Sequence, residues 1–320
     1  MESHLRHVLV TGGAGFIGSH LVDFLARETE GRIVVIDNLK RGRLANLAHV
    51  LHRIQFINGD IRNRELMDRV SKGVDLVYHL AAQSNVLGAV HDLEYSVTAN
   101  VLGTMEVLRA AQGSGVRRVV FTSSREVYGD PQSLPVPETA QIAPKNAYGA
   151  SKAAAEMYCR ALSTDRLSVA ILRLSNVYGS RDFDRVIPIF VEQALQNLPL
   201  TLYGGKQILD FVWIDTVVQA LIRAADLPAW PEPVNVGSGV PTTIKDLAAQ
   251  IVSKAHSLSK VHVGPARDVE VSRFVASTEC MRQTLGVVPA MDPLFQLPGL
   301  IETMERALKS GVDAPSSALV

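Results

Sequence analysis

The sequence predicts an α/β fold, a doubly wound parallel sheet with a smaller C-terminal lobe. Three observations carry that expectation. Short runs rich in Val, Ile and Leu recur through the first half, amphipathic stretches of helical period separate them, and a glycine-rich turn joins the first run to the first amphipathic stretch. Continuous apolar runs suit strands covered on both faces, as in a parallel sheet flanked by helices. In order, HVLVT (7–11), RIVVID (32–37), IQFING (54–59), LVYHLA (76–81), RRVVFTS (117–123) and LSVAILRL (167–174) are the predicted strands. SHLVDFLARE (19–28) and GTMEVLRAAQ (103–112) are predicted helices between them. The repeating unit is therefore βα, and right-handed crossovers wind it onto both faces of one sheet.

Past about residue 175 the rhythm breaks. Pro188, Pro199, Pro228, Pro231, Pro233 and Pro241 punctuate shorter elements, before VNVGSG (234–239) and TIKDLAAQIVSKA (243–255) give another strand and helix. Residues 1–175 are expected to form the sheet domain. Residues 176–308 are expected to form mainly a substrate-binding lobe, with segments returning to the sheet, and 309–320 a flexible tail.

Composition excludes several classes. The 32 basic and 32 acidic residues of the 320-residue chain balance, leaving no electrostatic footprint for nucleic acid or an anionic membrane. The KRGR cluster (40–43) reads as a short solvated loop. Cys159 and Cys280 are far apart and form no CxxC pair, which suits a reducing compartment and predicts no disulfide and no zinc site. Cys159 reads as a small helical core residue. There is no HExxH, and His49 and His52 read as solvated or packed side chains on a helix, so no metal is expected. No run approaches the roughly 18 apolar residues of a membrane span, and a soluble, cytoplasmic protein is expected.

VLVTGGAGFIGSHL places Gly13, Gly15 and Gly18 in GxGxxG register, with Gly12 ahead. The motif follows a predicted strand and opens a helix, and a second strand ends in Asp37, nineteen residues past Gly18. That context is the dinucleotide-binding one, a Rossmann unit whose helix N-terminus takes the pyrophosphate. Asp37 can accept both ribose hydroxyls and would repel a 2′-phosphate, which selects NAD; Lys40, Arg41 and Arg43 keep NADP open as the alternative. Asp60 either meets the adenine amine or caps the following helix. Ala81 and Ala82 end the fourth strand and are small enough for a cofactor to lie against. Asn100 is either a buried hydrogen-bonding residue near the sheet or an ordinary helix residue.

Tyr148 and Lys152 lie at i and i+4 of a predicted helix and so share one face. They follow the fifth strand, whose end carries Ser123 and Ser124 beside the crevice where ligands bind. An ammonium beside a phenol favours phenolate, and a phenolate can take the proton of a hydroxyl while hydride leaves the same carbon for nicotinamide.

Taken in order, TGGAGFIG (11–18), DNL (37–39), GDI (59–61), HLAA (79–82), TSSREVYG (122–129), YGASK (148–152), RLSNVYG (173–179) and DFVWIDTV (210–217) resemble the extended short-chain dehydrogenase/reductase family. Within it the chain is most similar to the NDP-sugar epimerase/dehydratase group, especially UDP-glucose 4-epimerase-like members, up to about residue 290. The resemblance implies that Ser124, Tyr148 and Lys152 form the catalytic set and that NAD is held tightly. The cofactor-binding set it implies is Gly12, Gly15, Phe16, Ile17, Gly18, Asp37, Asn38, Asp60, Ile61, Leu80, Ala81, Ala82, Asn100, Tyr148 and Lys152. On the substrate side it implies Asn176 beside the diphosphate, Val186, Ile187 and Pro188 along the nucleotide, and Arg267 on a phosphate. Ser84, Ser124 and Arg125 complete the substrate set, and Gln83, Asn85 and Arg181 are further pocket side chains. A homodimer through helices near 100–112 and 148–163 is also implied.

Two departures bear on the reaction. Relatives that eliminate water between C5 and C6 carry an Asp-Glu pair where this chain has Arg125 and Glu126. Glu126 fits the base, but Arg125 stays protonated and cannot be a general acid. Decarboxylating relatives also carry Glu in this context, so Glu126 joins the candidate catalytic residues; alternatively Arg125 and Glu126 simply pair with each other. Leu209 stands where relatives have an arginine that clamps the diphosphate; Arg267 matches the family's other phosphate-binding arginine, and Lys206 is left to compensate. The leading expectation is a 4-epimerase that passes hydride from C4 to bound NAD and back, with Tyr148 as base. The alternatives are a dehydratase or glucuronate decarboxylase using Glu126, and a non-enzymatic NAD-binding regulator.

Overall fold

The computed structural model describes residues 6–227 and 232–310. Pro228, Pro231 and positions 311–320 of the expected tail lie outside the described residues, while Lys309 and Ser310 close a helix and are not part of a tail.

The six predicted strands form within one or two residues of their expected ends. They are β1 (Val8–Thr11), β2 (Ile33–Asp37), β3 (Gln55–Asn58), β4 (Leu76–His79), β5 (Arg118–Ser124) and β6 (Ser168–Leu174). Between them run α1 (Phe16–Glu28), α2 (Arg64–Val70), α3 (Val86–His91), α4 (Leu93–Val97), α5 (Gly103–Gly113) and α6 (Ala147–Leu162). Residues Leu44–Arg53, which carry His49 and His52, wind as a 3₁₀ helix; His49 lies 2.8 Å from Asp23 and His52 is exposed.

The second half adds β7 (Asn176–Tyr178), β8 (Leu200–Tyr203), β9 (Ile208–Trp213), β10 (Val234–Val236), β11 (Pro241–Thr243) and β12 (Val261–Gly264). Its helices are α7 (Val186–Leu195), α8 (Ile214–Asp226), α9 (Ile244–Lys254) and α10 (Leu297–Ser310).

The main sheet is parallel throughout, in the order β10-β6-β5-β4-β1-β2-β3. Side chains alternate across it as strand geometry requires. Val8, Val10, Val35 and Tyr78 face α1 and α8, whereas Leu9, Val34, Ile36 and Val77 face α2, α5 and α6. Cys159 is fully buried in the second of these layers.

Strand order reverses between β1 and β4, which opens a crevice at their C-terminal ends. β10 brings a late segment back to pair with β6, Asn235 facing Arg173. The remaining late strands form two small sheets, β11-β9-β7 and β12-β8, and pack with α7, α9 and α10 around their own core of Phe190, Leu202, Phe211, Leu247 and Leu300. Asp210 fastens this lobe down: fully buried, it accepts from the Ser238 amide and hydroxyl at 2.7 Å each, and from the Gly239 and Ala276 amides. Among the described residues, no helix is long and apolar enough to cross a membrane.

Candidate active site

One cavity of about 1120 Å³ runs along the C-terminal edge of the sheet and continues into the smaller lobe. It exceeds the roughly 300–1,000 Å³ usual for a single small-molecule pocket. The expected site residues line it except Asn100, Pro188 and Arg181.

The glycine turn fits a dinucleotide. Gly12 has φ +73°, and a Cβ there would lie 2.6 Å from the Ala81 amide nitrogen. A Cβ at Gly18 would lie 2.2 Å from the Gly12 carbonyl oxygen, so the turn closes only on glycine. Gly15 caps α1 with no side-chain hydrogen bond, and the first turn holds no acidic residue, which leaves its N–H groups for an anion.

At the end of β2, Asp37 is buried and accepts from the Ala14 amide at 3.0 Å and the Leu39 amide at 2.9 Å. Burial pushes its carboxyl up, and those amides oppose the shift. A carboxylate offers about four lone-pair sites, so these amides leave room for ribose hydroxyls. The basic residues that kept NADP open are committed elsewhere. Lys40 sits over the Tyr95 ring, Arg41 pairs with Asp184 at 2.5 Å, and Arg43 stacks on Phe183.

Asp60 is not a helix cap. Asn63 caps α2, accepting from the Leu66 amide at 3.0 Å. Asp60 is gripped by Arg62 and by Asn38 at 3.0 Å; burial alone would raise its carboxyl, and these hydrogen bonds bring it down to about 2.

Asn100 stands behind the cavity wall instead of in it. It lies in a π-helical turn, Thr98–Leu102, and its amide is consumed: Oδ1 accepts from the Gln83 amide at 2.8 Å, and Nδ2 donates to the Gln83 carbonyl and to Ser151 on α6. It thereby positions the loop after β4 against the helix that carries Tyr148.

The reactive end is built by β5 and α6. Asn146 caps α6 through the Gly149 amide at 2.8 Å. Tyr148, in the first turn, shares the cavity wall with Ser124, whose hydroxyl accepts from the Glu126 amide at 3.2 Å. The expected lowering of the phenol by Lys152 is not what the structure shows. Burial pushes Tyr148 up, while Ser124 and the charges of Arg185 and Arg41 work against that shift. The reason is geometric: the Lys152 ammonium donates to the Thr122 carbonyl at 2.8 Å, and burial holds its own value down to about 8.

Arg125 and Glu126 do pair. Arg125 Nη2 lies 2.9 Å from Glu126 Oε1, and Asn146 donates to Glu126 Oε2 at 2.7 Å.

On the substrate side, Val186 and Ile187 line the cavity where α7 begins, but Pro188 does not reach it. Asn176 donates to the Asp210 carbonyl at 3.1 Å, and Ser84 accepts from Arg41 at 3.0 Å. Arg267 stacks on Tyr203 at 3.6 Å and pairs with Glu270. Leu209 is part of the apolar wall, and Lys206 is not in the wall. Arg181 turns away to Asp23 at 2.7 Å. The residues sequence reasoning missed are Asp182, Asp184 and Arg185, on the loop between β7 and α7, and Gln193, Tyr203 and Gln207. The alternating charges of RDFDR (181–185), directly after the RLSNVYG segment, were the available signal.

A Rossmann sheet with a glycine turn, an acidic ribose site and a Ser-Tyr-Lys set at the nicotinamide end defines a dinucleotide-dependent enzyme acting at an alcohol carbon. Comparison with known proteins narrows this. The model of the NAD dependent epimerase/dehydratase family matches residues 8–237, and the chain belongs to that family. It is 34% identical over 291 residues to the UDP-glucose 4-epimerase of Mycolicibacterium smegmatis, covering 88% of this chain and 93% of the relative. The crystal structure of UDP-glucose 4-epimerase from Thermotoga maritima, with UDP-glucose, superposes with a TM-score of 0.90 at 29% identity, covering 95% of this chain and 100% of that one. The dTDP-glucose 4,6-dehydratase DesIV of Streptomyces venezuelae, solved with NAD bound, also gives 0.90, at 31% identity, with 95% and 98% covered. The cofactor of this family is NAD, and the cavity's residues fit it. The fold does not choose between epimerase and dehydratase; the site must.

Proposed function

We propose that the protein is an NAD-dependent 4-epimerase of a nucleotide-diphosphate sugar, with UDP as the nucleotide. The observation that carries this reading is the contrast between two side chains at the end of β5. Ser124 and Tyr148 share the cavity wall, whereas Glu126, the base an elimination needs, is held on both oxygens by Arg125 and Asn146. A carboxylate so occupied is poorly placed to take a proton from C5.

Bound NAD supplies the acceptor, and then the donor, of one hydride. Tyr148 takes the proton of the C4 hydroxyl and later returns it. The Ser124 hydroxyl holds the C4 oxygen, and the Arg185 and Arg41 cations favour the phenolate. Between the two transfers the 4-keto sugar turns over within the cavity. Gly12, Gly15 and Gly18 hold the pyrophosphate, Asp37 the adenosine ribose, and Arg267 the substrate's phosphates. Arg267 thus stands in for the arginine that Leu209 replaces.

Residues up to 175 act as the NAD-binding domain and 176–308 as the sugar-nucleotide lobe. Leu93, Val97, Leu102, Met157 and Tyr158 are exposed on neighbouring helices, and this apolar face supports a homodimer through α4, α5 and α6. The composition and the two free cysteines support a cytoplasmic location.

Proton NMR in heavy water with a panel of UDP-sugars and no added NAD tests the reaction. Interconversion of C4 epimers with no solvent deuterium on carbon is expected. A 4-keto-6-deoxy or pentose product carrying deuterium overturns it.

A further inference from the structure

Two arginines, Arg125 and Arg185, line the cavity with Ser124 and Tyr148, and a neutral sugar has little use for Arg125. Arg125 follows Ser124 directly. Its guanidinium is held between the Glu126 carboxylate at 2.9 Å and the Phe274 ring, with 5.9 Å to the ring centroid, and only 12% of its side chain is exposed. Asn146 holds Glu126 from the other side, so the arginine fork is fixed in place by protein groups. Arg125 Nη1 is buried without a hydrogen-bond partner, alone among the arginine nitrogens of the cavity wall in the described residues. A buried charged donor that lacks an acceptor is costly, and such a group calls for an explanation such as a missing ligand.

Arg185 approaches from the other side, at the entry to α7. It donates to Asp182 at 2.8 Å through Nη1, its side chain is one-third open at 34%, and its charge acts on the Tyr148 phenol.

Resting on the epimerase reading, we infer that the substrate is a UDP-hexuronate, whose carboxylate on C5 docks on Arg125 with Arg185 as the second cation. The chemistry leaves few other choices. If Ser124 and Tyr148 serve C4, the side chains beside them meet the substituents of C3 and C5. Among ordinary hexose substituents at those carbons, only an oxidised C6 is anionic at neutral pH. A carboxylate matches the planar donors of a guanidinium, whereas a hydroxymethyl group offers a single weak acceptor. Arg185 offsets the repulsion between Glu126 and the incoming carboxylate.

The test compares kcat/KM for the UDP-glucuronate/UDP-galacturonate pair with that for the UDP-glucose/UDP-galactose pair, by NMR on the purified protein. The hexuronate pair is expected to be preferred. Arg125→Met should lower the ratio of the two specificities by roughly 10–100-fold, as expected for loss of a charge-assisted contact. Arg125→Lys, which keeps the charge and loses the fork, should fall between. Arg185→Met is the second probe, in case Arg125→Met fails to fold. Turnover of hexoses but not hexuronates overturns this inference and leaves the epimerase reading standing. An unchanged ratio in folded Arg125→Met removes Arg125 from selection and overturns it as well. Failure of both pairs to interconvert overturns this inference, and the epimerase reading falls with it only when no other UDP-sugar of the panel interconverts.

Discussion

Asn146 joins Glu126 to the helix that carries Tyr148: its Oδ1 caps α6 through the Gly149 amide at 2.8 Å while its Nδ2 donates to Glu126 Oε2 at 2.7 Å. One side chain therefore starts the catalytic helix and pins the group that could turn an epimerase into a lyase. Glu126→Gln should lower kcat/KM for epimerisation by less than about tenfold, because loss of a working general acid or base costs about 10²–10⁴. A loss in the upper range would restore Glu126 to the chemistry.

Gly12→Ala should empty the enzyme of its cofactor. The substitution forces a left-handed φ of +73° on alanine and drives its Cβ against the Ala81 backbone. The NAD that co-purifies, measured by absorbance after denaturation, should fall well below one per chain. Full NAD content would show that the turn yields more easily than its geometry says.

Arg173 and Glu156 form an ion pair at 2.7 Å with 1% and 0% of their side chains exposed. Ser123 also donates to Glu156, and Tyr128 links Arg173 to Asn235 on β10. Arg173→Met leaves a buried carboxylate unpaired and should cost about 3–5 kcal/mol. Urea unfolding followed by circular dichroism measures it, and a cost below about 1 kcal/mol would refute the cost assigned to an unpaired buried charge.

His79 gives a pH signature. It lies between Thr11 at 2.7 Å and Thr104 at 2.9 Å, and burial, reinforced by the Lys152 charge, lowers it to about 3. The folded protein therefore keeps this ring neutral while the unfolded chain protonates it near 6.5. The associated stability is present above about pH 6.5 and is lost as pH falls toward 3, at about 1.4 kcal/mol per pH unit for one proton. His79→Gln should flatten the stability profile between pH 6 and 5 by that slope. Parallel profiles would refute the assignment.

The sheet was legible in the sequence because its inner strands are buried on both faces and print as continuous apolar runs such as residues 33–36, while the edge strand β3 is only partly covered. The glycine turn was legible because its spacing is dictated by backbone contact, not by side-chain choice. The smaller lobe's strands were not, since Asn176–Tyr178 and Pro241–Thr243 have three residues each and show no period. Lys152 shows a different limit. Its i, i+4 spacing placed it on the right face, but whether its ammonium meets a phenol or the Thr122 carbonyl depends on a neighbouring strand. Asn100 has the chemistry of a ligand and the position of a strut, and only its contacts with Gln83 and Ser151 tell the two apart.

The return of β10 to the main sheet has a consequence for biogenesis. A nascent chain that has emerged only to residue 175 has β6 as an open edge, with Leu172 and Leu174 uncovered and Arg173 lacking the Tyr128–Asn235 link. Such an edge is a template for pairing with another chain. The last strand of the main sheet arrives about sixty residues after β6, so residues 1–175 expressed alone should aggregate where the whole protein does not.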